Sequence, residues 1–317
     1  MADPGPPAEF SLIARHFRPL AGPGALGLLD DAAVIDPPPG RQLVLTVDAM
    51  VAGVHFLPDD PADTVGRKLL RVNLSDLAAM GATPLGYLLT VSAARDTPDS
   101  WFAAFASGLA RDQAQFGITL LGGDTTSTPG PMTLTLIAIG HLAPGAALCR
   151  KGAAVGDEIW VTGTVGDGAL GLLALQGRIA DPEGWLAGRY RLPQPRLGLK
   201  LHGIVSACMD VSDGLVQDLG HLCRAAGLGA VIEAGRVPRS LAAMAAGEKW
   251  LRTCLTGGDD YELLMAVPPG RSAALLAAAA GRCPITEIGR VEAGSGVRVI
   301  DPGGRTMDLV RPGWSHF

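Results

Sequence analysis

Aspartates carry most of the chemistry available to this sequence. They stand at the ends of apolar segments: Asp30 and Asp31 in GLLDDAAV, Asp48 after LVLTV, Asp76 in NLSD, Asp124 in GGDTT, Asp210 and Asp213 in DVSDG, and Asp259 and Asp260 in GGDDYE. Carboxylates that converge repel one another and raise each other's pKa unless cations neutralise them. Oxygen-only ligands then point to Mg²⁺. A soft-metal site needs His or Cys at ligand spacing, and none of the six histidines forms such a pair. Each aspartate alone also has an ordinary role. Ser75, Asp76, Ser212 and Asp213 precede helical runs, where such side chains cap orphan N–H groups or favour the positive end of the helix dipole. GGDTT and GGDD are turn chemistry by themselves. Turns alone do not account for the joint pattern of six acidic loops, each beside an apolar segment.

Glycine adds a second line of argument. GGD at Gly122 to Asp124 and TGTVGDG at Thr162 to Gly168 let backbone N–H groups approach an anion closely, and phosphate is the natural guest. There is no G-x-x-x-x-G-K-[ST] string, and G-x-G-x-x-G occurs as GPGALG and GDGALG. The first follows no strand, and the second places an aspartate where a pyrophosphate would sit, so a Rossmann site is disfavoured.

The elements that must position these residues are short and alternate in type. QLVLTV (42–47), TLTLIAI (133–139), EIWVT (158–162), ELLMAV (262–267) and VRVI (297–300) predict strands. Residues 64–80, 100–116, 169–176, 215–226 and 272–280 carry helical spacing or helix-forming composition. The fold class is therefore α/β in the mixed sense. A Gly/Ala/Pro-rich connection, HLAPGAALCRKGAAVGD (141–157), separates two halves of similar size, which predicts domains at 1–145 and 146–317. Both halves share a theme of an Asp-bearing loop running into a helix, as in NLSDLAAMGA and DVSDGLVQDLGH.

With 317 residues, 48% of them hydrophobic and a formal net charge of −5, the chain is long and apolar enough for a large core. The acidic balance and the absence of a Lys/Arg-rich run argue against nucleic acid or an anionic membrane as main partner. Five scattered cysteines without a C-x-x-C pair fit a reducing cytoplasm. MADPGPPAEF lacks the features of a secretory signal, and the uncharged stretch Leu77 to Ala94 reads as a helix end, a turn and a strand rather than a membrane span.

Taken together, EFSLIARHF (9–17), the Asp-Asp pair, VDAMVAGVHF, NLSDLAAMGATP, LLGGDTT, TGTVGDGALGL, DVSDGLVQDLGHL, GGDDYEL and the terminal GWSHF resemble the thiamine-monophosphate kinase family over nearly the whole chain. This family belongs to the superfamily that includes aminoimidazole ribonucleotide synthetase. The resemblance implies a two-domain architecture of that type. Its N-terminal ATP- and Mg²⁺-binding domain pairs its sheet across a homodimer, and its C-terminal α/β domain completes an active-site cleft. It also implies the activity, ATP-dependent in-line phosphorylation of thiamine monophosphate to thiamine diphosphate, with several Mg²⁺ ions and ATP as co-substrate.

Carried over by motif, the resemblance makes Asp31, Thr46, Asp48, Asp76, Asp124, Asp210 and Asp213 the metal ligands. Gly123, Asp124, Arg150 and Ser212 match positions that handle ATP, and His55, Asp259 and Trp314 match substrate-facing ones. Asp124, Asp48 and Arg150 are the implied catalytic set. Three positions depart from the family pattern: GLLDD replaces a Gly-Ile-Gly-Asp-Asp type of loop, Val47 replaces a hydroxyl residue, and Asp259 stands where Glu is frequent. Two other activities compete with this one: an ATP-dependent ligase or cyclase of the same superfamily, and a Ca²⁺-binding scaffold, which would lack the EF-hand loop.

Overall fold

The computed structural model describes residues 8–315, so the N-terminal tip and the last two residues of GWSHF, His316 and Phe317, lie outside the described residues. Contacts divide the chain into two units, Met1–Leu77 with Thr83–Pro144, and Ala78–Ala82 with Gly145–Phe317.

The first unit is built on a four-stranded sheet of order β1-β4-β2-β3, with β1 Gln42–Val51, β2 Thr83–Ala93, β3 Thr119–Ser127 and β4 Thr133–Leu142. β4 runs antiparallel to both β1 and β2, whereas β2 and β3 are parallel, joined by helix α3 (Asp99–Phe116). A short helix α1 (Ala8–Leu12) precedes them, and α2 (Ala62–Ala79) lies between β1 and β2. Strand alternation gives the sheet two different faces. Leu134, Leu136, Ala138, Tyr87, Leu89 and Val91 point to one face and are almost fully buried. The helices lie on this side: Asp76 of α2 bonds Thr46 of β1, and Gln113 of α3 donates to the Tyr87 hydroxyl at 3.0 Å. A buried ion pair fixes α2 to α3, with Arg71 Nε donating to Asp112 at 2.6 Å and Arg67 Nε at 2.9 Å.

The second unit carries a six-stranded sheet of order β10-β7-β9-β5-β8-β6, with β5 Glu158–Thr162, β6 Ala207–Val211, β7 Gly229–Glu233, β8 Glu262–Val267, β9 Ile285–Glu292 and β10 Gly296–Ile300. Its helices are α4 (Asp167–Leu175), α5 (Trp185–Arg191), α6 (Leu215–Ala226), α7 (Leu241–Ala246), α8 (Leu251–Thr256) and α9 (Ser272–Ala279). Every residue of β8 is buried, because both sheet faces are covered, which explains the apolar run that follows Glu262. Leu264 joins a core with α6 residues Leu215, Leu219 and Leu222, whereas Leu263 and Met265 join another with Leu275 and Ala279 of α9.

Two local expectations are corrected. NLSD does not cap a helix start; it lies inside α2, as the helix predicted over 64–80 implies, where every residue from Lys68 to Ser75 is buried and Asn73 Nδ2 donates to the Leu69 carbonyl at 2.9 Å. Nor is GGDTT a turn: it lies within β3, with Asp124 opposite Thr90 of β2. Its glycine has a packing reason, since a Cβ on Gly123 would lie 1.8 Å from the Leu89 carbonyl oxygen. Among the described residues, no helix is long and apolar enough to cross a membrane, and the 77–94 stretch resolves into the end of α2, a turn and β2.

Candidate active site

In the first unit, the alternation of β1 aims Thr46 and Asp48 at the helix-covered face of the sheet. There the Thr46 hydroxyl donates to Asp76, which α2 presents from the NLSD segment. Asp124 points the other way. With Asp30 and Asp31 it lines a cavity of about 680 Å³ between the N-terminal segment and the opposite sheet face, whose walls include Phe10, Leu88 and Ile137. β3 and β1 are three strand spacings apart, about 14 Å. The sheet therefore gathers Thr46, Asp48 and Asp76 on one face and Asp31 and Asp124 on the other. Among the described residues, no three His, Cys, Asp or Glu side chains are gathered as one metal-holding group.

The loop before Asp31 departs from ordinary backbone. Leu26 and Leu28 take φ of 50° and 55°, a left-handed conformation that costs an L side chain about 1–2 kcal/mol. Leu29, which stands where the resemblance has glycine, adopts φ −113° and is unstrained. The substituted loop thus forms, with its strain one residue earlier. Val47, the second departure, lies on the open sheet face and is exposed. His55 follows β1 in a tight turn, where its Nδ1 accepts the Val51 N–H at 3.0 Å, which assigns the ring proton to Nε2. Lys68 secures the turn by donating to the His55 carbonyl oxygen at 3.0 Å.

In the second unit, the matched residues interlock. Asp210 is buried at the end of β6, and the chain then turns through Ser212, Asp213 and Gly214 into α6. The Asp259 N–H donates to the Ser212 carbonyl at 2.9 Å, the Tyr261 N–H to the Val211 carbonyl at 2.8 Å, and the Trp314 N–H to the Asp213 carbonyl at 2.9 Å. These bonds bring Ser212, Asp213, Asp259 and Trp314 together. Asp259 and Tyr261 have φ of 71° and 53°, a strained backbone of the kind that persists where surrounding contacts over-determine it. Arg150 belongs to the same neighbourhood: the His221 imidazole of α6 is held below its ordinary pKa first by burial, then by the Arg224 and Arg150 charges, while Asp213 opposes them.

Two carboxylates outside the matched site residues hold these loops in place: Asp218, which the sequence reading did not single out, and Asp260, which it counted only among the acidic loops. A single oxygen of Asp218 accepts the N–H groups of Ser212, Asp213 and Gly214 at 2.9, 3.0 and 3.2 Å. Burial pushes its pKa up to about 7 against the lowering effect of those donors. The N–H groups that open α6 are thus occupied by the chain's own carboxylate. Asp260, with no exposed surface, accepts from the N–H groups of Gly166 and Gly168 at 2.7 and 3.1 Å, and burial pushes it up to about 8. It ties TVGDG to GGDDYE, so the aspartate of that motif with a structural task is the second one. Glu262 extends the network, accepting from Thr162 at 2.6 Å, Arg189 at 3.0 Å and Arg196 at 2.5 Å. A local signal was present for Asp218, an acid in the first turn of α6, but not for Asp260, whose glycine partners lie 94 and 92 residues earlier in the chain.

Two family models match this chain: AIR synthase related protein, N-terminal domain, over residues 29–142, and AIR synthase related protein, C-terminal domain, over residues 154–302. The chain is 44% identical to the thiamine-monophosphate kinase of Caulobacter vibrioides, over 98% of this chain and 91% of that one. Its fold is similar to the crystal structure of thiamine-monophosphate kinase from Stenotrophomonas maltophilia K279a, with a TM-score of 0.83 at 39% identity, covering 95% of this chain and 98% of the other. It is also similar to AaThiL complexed with AMPPCP and TMP, with a TM-score of 0.77 at 30% identity, covering 93% and 97%.

Proposed function

The chain belongs to the AIR synthase related proteins and, among them, to the thiamine-monophosphate kinases, and from that membership we propose how its own residues carry the reaction. That reaction is ATP-dependent phosphorylation of thiamine monophosphate to thiamine diphosphate, a transfer onto a phosphate acceptor. The observation that carries the residue assignment is the interlock of Ser212 and Asp213 with Asp259 and Trp314. It ties the loop matched to nucleotide and metal to the residues matched to the substrate.

A phosphate monoester has a second pKa of about 6, so the acceptor is largely dianionic at neutral pH and needs no strong general base. What opposes transfer is repulsion between two polyanions. The donor set fits a hard cation, because every matched ligand offers oxygen: Asp31, Thr46, Asp48, Asp76, Asp124, Asp210 and Asp213. Mg²⁺ ions held by separate subsets of these residues, with Thr46, Asp48 and Asp76 on one face of the first sheet and Asp31 and Asp124 on the other, would supply charge neutralisation and orientation of the phosphates. Arg150 adds fixed positive charge for the nucleotide, with the Ser212 hydroxyl and the Gly123 backbone as further contacts. His55, its Nδ1 occupied by the Val51 N–H, presents Nε2–H as a donor toward the substrate. Asp259 supplies negative charge for the cationic thiazolium. The half-exposed Trp314 indole supplies a cation–π face worth roughly 0.5–2 kcal/mol.

Residues 1–145 are the proposed ATP- and Mg²⁺-binding and dimerisation domain, and residues 146–317 provide the remaining machinery. The homodimer is supported by the open sheet face, where Leu43, Leu45 and Val47 of edge strand β1 are 40%, 63% and 58% exposed. Asp124 lies on that same face, so pairing it with a second copy sets the dimer contact beside this carboxylate. All five cysteines are free thiols, which fits the proposed cytoplasmic location. Steady-state kinetics of Trp314→Ala test the assignment: KM for thiamine monophosphate rises roughly fivefold or more while KM for ATP stays near its original value. An unchanged KM for thiamine monophosphate removes Trp314 from the site.

A further inference from the structure

The C-terminal tail has little structure of its own to hold it. Residues 311–315 form no helix or strand, and Trp314 is 54% exposed. Two hydrogen bonds nevertheless fix this stretch against the start of α6, and a third steadies the side chain that makes one of them. Trp314 N–H donates to the Asp213 carbonyl at 2.9 Å. The Gln217 amide Nε2 donates to the Trp314 carbonyl and, at 3.3 Å, to the Asp213 carboxylate. Gly313 makes the approach possible, since a Cβ there would lie 2.5 Å from the Gln217 Cβ and 2.6 Å from the Asp213 carbonyl oxygen. A glutamine amide nitrogen has two hydrogens, and here each has an acceptor.

We infer that Gln217 is a positioning residue for the kinase reaction: it pins the tail that carries Trp314 to the acidic loop that carries Asp213, so that the aromatic face and that loop keep one fixed relation. The inference rests on the reading that Trp314 faces thiamine monophosphate. The geometry favours a side-chain tether over chance contact. The Trp314 N–H bond holds the peptide before this residue, and Gln217 holds the carbonyl of the peptide after it, so both sides of Trp314 are tied to the start of α6. Without Gln217, the indole keeps its chemistry but loses its place, so binding of the thiamine moiety suffers while nucleotide binding is spared.

Gln217→Leu tests this, because it removes both donors and keeps most of the volume. In the full-length protein, KM for thiamine monophosphate rises roughly five- to tenfold, while kcat and KM for ATP stay within about twofold. Hydrogen exchange of the Trp314 amide, read from the C-terminal peptide without any ligand, speeds up by a similar factor. Gln217→Glu, which sets an acceptor against two acceptors, shows both effects more strongly. Unchanged exchange, unchanged KM for thiamine monophosphate, or an equal rise in both KM values overturns the inference. Trp314→Ala run in parallel separates the two failures. If that variant raises KM and Gln217→Leu does not, the tether is wrong and the reading of Trp314 stands; if Trp314→Ala itself has no effect, the reading beneath falls and the inference with it.

Discussion

Replacing Asp260 with asparagine asks whether the clamp between TVGDG and GGDDYE works as a buried acid or as a permanent charge. The carboxyl group has no exposed surface and accepts two backbone N–H bonds, from Gly166 at 2.7 Å and Gly168 at 3.1 Å. Asparagine keeps one acceptor oxygen and turns an NH₂ toward the other N–H. A buried donor left without a partner costs about 1–3 kcal/mol, so near pH 5 the variant is less stable by about that amount. The pH dependence follows from the carboxyl's shift. Burial raises Asp260 from an ordinary 3.8 to about 8, so between about pH 4 and pH 8 the native state keeps a proton that the unfolded chain has lost. The native state binds more protons there, and stability falls as pH rises. This contribution is complete below about pH 4 and gone once pH passes about 8. One proton corresponds to at most about 1.4 kcal/mol per pH unit, and asparagine has no such slope. The gap between the two proteins therefore narrows by about 1 kcal/mol per pH unit from pH 5 to 8 and closes or reverses by the end of that range. Urea unfolding followed by circular dichroism at pH 5, 6, 7 and 8 measures it. A gap that stays constant over this range would refute the reasoning and make Asp260 an ionised clamp throughout.

Other perturbations address other parts of the account. Asp112→Ala leaves Arg71 buried without its carboxylate and destabilises the first unit by about 3–5 kcal/mol, read as a lowered unfolding midpoint. Asp218→Ala frees three N–H groups at the start of α6; it weakens binding of a non-hydrolysable ATP analogue at least fivefold by calorimetry, and unchanged affinity means the loop holds itself. The proposed homodimer predicts that Leu45→Glu, which places a charge on the exposed face of β1, sediments as a smaller species than the unaltered chain at the same concentration; equal sedimentation of the two removes this face from the dimer contact.

Much of the fold was legible because its elements are short and carry one pattern each. The strand predictions at 158–162 and 262–267 coincide with β5 and β8, and the helix at 215–226 with α6. What escaped was set by tertiary packing. GGDTT has the local chemistry of a turn, yet it is held in β3 by pairing with β2, and Gly123 is required by contact with Leu89. NLSD has the local chemistry of a helix start, yet it sits inside the helix predicted over 64–80, where every residue from Lys68 to Ser75 is buried. At the site, the motifs identified residues that the second unit does bring together, Ser212, Asp213, Asp259 and Trp314. They gave no sign that Asp124 and Asp48 occupy opposite faces of one sheet, because that depends on strand register rather than on spacing within a motif. The role of Asp260 was hidden for a related reason: an acid that accepts N–H bonds from glycines distant in the chain is indistinguishable by residue type from one that binds a metal.

The central claim is that the aspartates carry the phosphoryl transfer, and Asp124→Asn tests it most directly. ADP and thiamine diphosphate are followed together by chromatography, with ATP and Mg²⁺, with and without thiamine monophosphate. The account predicts that the unaltered chain forms both products in equal amounts, only when thiamine monophosphate and Mg²⁺ are present, and that Asp124→Asn loses about a hundredfold or more in kcat with its circular dichroism spectrum unchanged. Near-normal turnover by the variant would contradict the account and show that this carboxylate takes no part in the reaction.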